Sequence, residues 1–119
     1  SMALEACKKN NSSPSAPTVD FTIDISTSQY TALQKNGGYV YYNSDSIIIA
    51  RDGSGNFVAL YDVCPHAGCT VQVNGSSRFT CPCHGSAFDE SGNVITGPAT
   101  SGVKKYNTSL SGNQLRIYG

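Results

Sequence analysis

The sequence predicts an all-β domain of short antiparallel strands, and three observations carry that expectation. Apolar and polar residues alternate, as where Val19, Phe21, Ile23 and Ile25 interleave with Asp20, Thr22 and Asp24, which is the period of a half-buried strand. Turn signals such as Gly37-Gly38, Asn74-Gly75 and Gly112-Asn113 break the alternating runs at short intervals, too often for long helices. Twelve glycines in 119 residues fit the same picture, since a chain of many short strands must reverse often.

Residues 19–25 form the first strand by this alternation. Residues 26–35 have room for one short helical turn, capped by Ser26 or Ser28 and stopped by Gly37-Gly38. Residues 39–42 and 46–50 pair as strands. The turn Arg51-Asp52-Gly53-Ser54-Gly55-Asn56 leads into a strand over residues 57–62. Residues 70–73 and 78–80 flank Asn74-Gly75, a dipeptide that favours the left-handed backbone of tight hairpins. Glu90-Ser91-Gly92-Asn93 turns the chain into residues 94–96, and residues 103–110 and 114–118 close the domain as a hairpin around Gly112-Asn113. No repeat of solenoid type is present.

The chain divides into a flexible tail at residues 1–18 and one domain at residues 19–119, long enough for a core of its own. Ser1-Met2-Ala3 reads as a cloning remnant, and residues 8–18 are rich in Ser, Pro and Asn. Eight Lys and Arg balance eight Asp and Glu, and only 13% of residues are charged, so no basic face is available for nucleic acid. No apolar run approaches the roughly 18 residues of a membrane helix.

Chemistry concentrates in two boxes, Cys64-Pro65-His66-Ala67-Gly68-Cys69 and Cys81-Pro82-Cys83-His84-Gly85-Ser86. Two thiolates and two imidazoles suit either a single Zn²⁺ or a 2Fe–2S cluster with Cys₂ on one iron and His₂ on the other. A zinc site has four ligands and no use for two further cysteines beside it. The chain's two histidines both sit in the boxes. None remains for a mononuclear 2-His-1-carboxylate iron, for haem or for a general base, so the functional inventory is confined to the boxes and the chain is not expected to be an enzyme by itself.

Cys64-x-His66-x-x-Cys69 together with Cys81-x-Cys83-His84-Gly85-Ser86 closely resembles the Rieske iron–sulfur protein family. Within it, the match is to the disulfide-bearing branch of cytochrome bc-type complexes. The resemblance implies an antiparallel β domain with two cluster-binding loops at hairpin tips and one 2Fe–2S cluster per chain. It makes Cys64 and Cys81 the ligands of one iron, and His66 and His84 those of the other. It also implies a Cys69–Cys83 disulfide, whose loop of about 14 residues would contribute around 3 kcal/mol in the chain-entropy model. Gly68 and Gly85 then let backbone N–H groups approach the sulfides, and Ser86 donates a hydrogen bond to one of them, which raises the potential. Pro98, in Gly97-Pro98-Ala99, falls where the family has a proline loop covering the cluster.

Two features depart from the family pattern. Quinol-oxidising members usually carry Tyr where this chain has Phe88, so a hydroxyl that bonds a ligand sulfur is missing. The interval from His66 to Cys81 is also shorter by about a residue or two, with the shortening around Asn74-Gly75, where a tight hairpin would absorb it. The implied partners are redox proteins, either a quinol-oxidising cytochrome or the large subunit of a periplasmic oxidoreductase. The implied location is the extracytoplasmic membrane surface or periplasm of a bacterium. Members in bc-type complexes carry an N-terminal membrane helix; here Leu4-Glu5-Ala6-Cys7 before a polar tether looks like the end of a lipoprotein signal, with Cys7 as lipid anchor. Two alternatives stand beside this reading. One is a soluble Rieske ferredoxin supplying an oxygenase, which Phe88 favours and the extra cysteine pair disfavours. The other is a zinc-stabilised binding module.

Overall fold

The computed structural model describes residues 16–65, 68–75, 78–83, 85–99 and 101–119. Among the described residues ten strands follow one another as β1 Asp20–Asp24, β2 Tyr39–Tyr42, β3 Ile47–Arg51, β4 Phe57–Tyr61, β5 Gln72–Val73, β6 Phe79–Thr80, β7 Ala87–Phe88, β8 Val94–Thr96, β9 Lys105–Ser111 and β10 Gln114–Tyr118. Every pairing is antiparallel. Six strands form a sheet in the order β1-β10-β9-β4-β3-β2, and four short ones form a second in the order β5-β6-β7-β8. The larger sheet curls until its edge strands touch: Phe21 on β1 stacks on Tyr42 of β2 with ring centroids 4.0 Å apart. Among the described residues, no helix is long and apolar enough to cross a membrane.

The hairpin β3–β4 is a wall with a core on each side. Ile47, Ile49 and Ala59 face a core with Val19, Ile23, Leu33, Tyr106, Leu115 and Ile117. Their neighbours Ile48, Ala50, Val58 and Leu60 face the opposite way, against Cys64, Val71, Phe79, Cys81, Phe88, Ala99 and Val103. Successive strand residues point to opposite faces, so the continuous apolar run Ile47-Ile48-Ile49-Ala50 supplies both cores at once. The first core supports the curled sheet; the second carries the two boxes.

The expected helical turn is a 3-10 helix, Ser28–Gln34, with a kink at Tyr30. Neither Ser26 nor Ser28 caps it. Thr27 holds the N-cap position without a side-chain cap bond, while the backbone N–H and hydroxyl of Ser26 both donate back to Asp24. Capping chemistry is spent instead on closing the exit from β1. The β5–β6 connection occupies residues 74–78, between the pair Val73 and Phe79, with Asn74 N–H donating to Arg78 C=O at 2.8 Å. This loop is wider than the tight Asn-Gly hairpin expected from the sequence.

One turn is built twice. Asp52-Gly53-Ser54-Gly55-Asn56 and Asp89-Glu90-Ser91-Gly92-Asn93 each begin with an Asp whose Oδ1 accepts from the N–H groups two and four residues on, at 2.8–3.0 Å. The first joins β3 to β4 and the second joins β7 to β8. The Asp52 carboxyl is held below its ordinary value, chiefly by the Asn56 N–H, with Glu90 and Ser54 adding to it.

Candidate metal centre

The described residues of the two boxes make the same closures around six residues. The bridge Val63–Thr70 closes residues 64–69, and the pair Thr80–Ala87 closes residues 81–86. In the first loop Cys64 N–H donates to Cys69 C=O and Gly68 N–H donates to Cys64 C=O, both at 2.8 Å. In the second, Cys81 N–H donates to Ser86 C=O at 2.7 Å and Gly85 N–H to Cys81 C=O at 2.9 Å. The fifth residue of each loop sits at positive φ, 72° for Gly68 and 80° for Gly85, a conformation glycine adopts without steric cost. Spacing therefore decides placement: the first residue of each loop, Cys64 or Cys81, stands at the loop base and points into the core.

Both of those cysteines are buried, at 0% and 1% exposure, in the core that also holds Val71, Phe79 and Phe88. Cys69, the last residue of the first loop, is joined by a disulfide to Cys83, the third residue of the second, with Cα atoms 6.4 Å apart. The sulfurs of Cys69, Cys81 and Cys83 all lie within 4.8 Å of one another. His66 and His84, expected as the other two ligands, lie outside the described residues, as does Cys7.

Ser86 is fully buried, and its Oγ accepts a hydrogen bond from Ala99 N–H at 2.9 Å. A hydroxyl that accepts in this way keeps its own hydrogen to donate. Gly97-Pro98-Ala99 is thereby tied to the second box, and the tie is made by the Ala99 amide; Pro98 itself is exposed. Phe88 is fully buried in the same core. Sequence reasoning missed two further supports of the first loop. Tyr41 of β2 donates its hydroxyl to Val71 C=O at 2.9 Å, just beyond the loop. Asp62, two residues before Cys64, is only 6% exposed, and burial raises its carboxyl above the ordinary value. Burial likewise raises the Tyr41 hydroxyl, with Tyr39 and Asp62 adding to it.

These residues fit a thiolate-held cluster. Two cysteine side chains reach a dry core from equivalent points of paired loops, a buried hydroxyl has a hydrogen to give, and two glycines keep side chains off the loop backbone. A zinc finger uses its cysteines as ligands; here two of the four box cysteines are spent on a bond between loops.

The sequence model of the Rieske [2Fe-2S] domain matches residues 24–107. A cytochrome b6-f complex iron-sulfur subunit from Chlorobaculum thiosulfatiphilum is 34% identical over 77 residues, which is 64% of this chain and 42% of the relative. Cytochrome b6-f complex iron-sulfur subunit 1 of Synechocystis is 38% identical over 72 residues, 60% of this chain and 40% of the relative. The chain thus spans about two-fifths of the length of these relatives. Among solved structures, the plasma membrane Rieske protein PetC3 from Synechocystis PCC 6803 aligns with a TM-score of 0.63 at 30% identity, covering 76% of this chain and 95% of that one. The ferredoxin of carbazole 1,9a-dioxygenase from Nocardioides aromaticivorans aligns with a TM-score of 0.62 at 23% identity, covering 71% of this chain and 86% of that one, and shares the fold.

Proposed function

The chain belongs to the Rieske [2Fe-2S] domain family, and on that premise we propose that it carries single electrons as the iron–sulfur subunit of a membrane-associated redox complex. The observation that carries this reading is the pair of matching loops, each seating a buried cysteine, locked together by the Cys69–Cys83 disulfide. Cys64 and Cys81 would hold one iron, and His66 and His84 the other. When bound, such a cluster takes up and releases one electron, at a higher potential than an all-thiolate cluster because neutral imidazoles replace two anionic ligands.

The chain's own residues set the conditions for that chemistry. Val71, Phe79 and Phe88 keep water from the cysteine side, and the Ser86 hydroxyl, buried and accepting from Ala99 N–H, would donate its hydrogen toward added negative charge. The two loops need no movement to do this, since backbone bonds and the disulfide fix them beforehand. No further histidine is present for acid–base work, so substrate chemistry belongs to partner proteins.

The disulfide and the b6-f relatives support a place in a quinol-oxidising complex or a periplasmic oxidoreductase on the extracytoplasmic side, and the sequence Leu4-Glu5-Ala6-Cys7 makes Cys7 the proposed lipid anchor. Phe88 favours the alternative of a ferredoxin feeding an oxygenase, because the cluster then lacks one donor that raises its potential. Metal analysis with electron paramagnetic resonance tests the assignment. Purified protein should be red-brown, hold two irons and two acid-labile sulfides per chain, and lose the mixed-ligand signal in His66→Cys and in His84→Cys. A colourless protein containing zinc would overturn it, and an unchanged spectrum in either variant would remove that histidine from the ligands.

A further inference from the structure

The disulfide of the site has a third sulfur within reach. Cys81 Sγ lies within 4.8 Å of both bonded sulfurs, a group that Cys64 does not join among the described residues. One of the two buried cysteines therefore faces the bond between the loops. We infer that Cys81 is a built-in exchange partner of the Cys69–Cys83 disulfide, and that a chain which loses its cluster isomerises to a Cys69–Cys81 disulfide. The inference rests on Cys81 being a cluster ligand, because ligation is what withholds its sulfur from exchange.

The step balances without any added oxidant or reductant. Cys81 gives up its proton, and its thiolate attacks Sγ of Cys69. The Cys69–Cys83 bond breaks as the Cys69–Cys81 bond forms, the electron pair departs on Cys83 Sγ, and Cys83 takes up a proton from water. One disulfide is exchanged for another, and the number of thiols does not change.

Burial selects the sulfur attacked. Attack on Cys69 expels Cys83, which is exposed, so the departing thiolate is stabilised by water. Attack on Cys83 would expel the half-buried Cys69 instead, and would close a ring across Cys81-Pro82-Cys83, where proline fixes one backbone angle. Cys81 is 1% exposed, which shields it from outside thiols but not from a sulfur already beside it. Proximity of this kind replaces a bimolecular encounter with an internal one.

The product no longer binds a cluster. Cys81 is consumed in a disulfide, Cys83 is a thiol at the surface, and the bond between the loops now joins the wrong pair. Cluster loss is thus recorded covalently; the reverse exchange, begun by the Cys83 thiol, is an internal way back, and an outside dithiol bypasses it by freeing the sulfurs. By the same logic the Cys69–Cys83 bond persists once the cluster holds Cys81.

The test begins with the cluster-bound protein and a measurement of its iron and acid-labile sulfide, which alone decides whether the parent reading holds. Half the sample is stripped anaerobically with a chelator. Both halves are then unfolded, alkylated without reduction, and digested, and their linked peptides are mapped by mass spectrometry. Fragmentation at the Cys81–Pro82 bond separates the two neighbouring cysteines. The untreated half should show Cys69–Cys83 with Cys81 alkylated. The stripped half should convert with time to Cys69–Cys81 with Cys83 alkylated, at constant total thiol. Reconstitution with iron and sulfide alone should then proceed at least tenfold more slowly than after treatment with dithiothreitol. Persistence of Cys69–Cys83 for a day in the stripped protein would overturn the inference, as would a Cys81–Cys83 product or equally fast reconstitution without dithiol.

Discussion

Ser86→Ala separates the two duties assigned to one hydroxyl. Ser86 Oγ accepts the Ala99 N–H at 2.9 Å, and both residues are buried, at 0% and 4% exposure. Removing the oxygen leaves the Ala99 amide without its partner where water does not reach, a loss of about 1–3 kcal/mol. At about 1.4 kcal/mol per tenfold, exchange of the Ala99 amide should quicken by roughly 5- to 140-fold. The hydroxyl's own hydrogen is the second duty. If it donates to the cluster, its loss forfeits about 0.5–1.5 kcal/mol of preference for the reduced state. With about 59 mV per 1.4 kcal/mol for one electron, the potential should fall by roughly 20–60 mV. Amide exchange followed by NMR and protein-film voltammetry on the same variant read the two effects independently. Faster Ala99 exchange with an unchanged potential would refute the donation to the cluster and leave Ser86 as a tie between loops. A lower potential with unchanged exchange would refute the tie.

Replacing Cys69 and Cys83 together by Ala releases the bond across 14 residues of chain and should lower stability by about 3 kcal/mol in urea unfolding; a change below about 1 kcal/mol would show that the loops are held by other contacts. Phe88→Tyr, at a fully buried position, should raise the potential by roughly 20–60 mV if the new hydroxyl reaches a ligand sulfur. A potential unchanged or lower, with the hydroxyl seen at the sulfur in a crystal structure, would refute tuning by that bond. Asp52→Ala removes the acceptor of the Asn56 and Ser54 amides and should cost about 2 kcal/mol at neutral pH. The folded carboxyl is held below its ordinary 3.8, so this contribution is complete above that value and is lost as pH falls through the folded one. The gap between wild type and variant should therefore close in acid, and a gap independent of pH would refute the role of the charge.

The features legible in the sequence were those with a period or a fixed spacing. β1, β3, β4 and β10 announce themselves by alternation or by apolar runs, and the two boxes by six side chains in register. β7, Ala87–Phe88, was not legible, because two residues carry no period; the second box and its pairing with β6 define that strand. The short helical turn was legible but its cap was not, because Asp24 takes the backbone N–H and hydroxyl of Ser26 and leaves Thr27 at the N-cap. The repeated Asp-x-Ser-Gly-Asn turn was present in the letters at residues 52–56 and 89–93 and went unread, since each copy looks like an ordinary loop until its hydrogen bonds are compared. Supports from distant chain, Tyr41 on Val71 and Ala99 on Ser86, depend on topology, and nothing local encodes them.

Because β3–β4 stands between two cores of unlike construction, the molecule should open in two stages. The side made of β1, β2, β9 and β10 is knit by strands of four to seven residues, whose amides are released only when the whole domain unfolds. The opposite side is made of strands of two or three residues and borrows its rigidity from the wall beneath it, from the loop-to-loop bond and from whatever the two boxes hold. That side is the unit able to unfold by itself while the wall stays intact. A chain emptied at its metal centre would thus remain a folded β protein with one frayed face, needing its sulfur pairing restored but no new fold before it takes up a cofactor again.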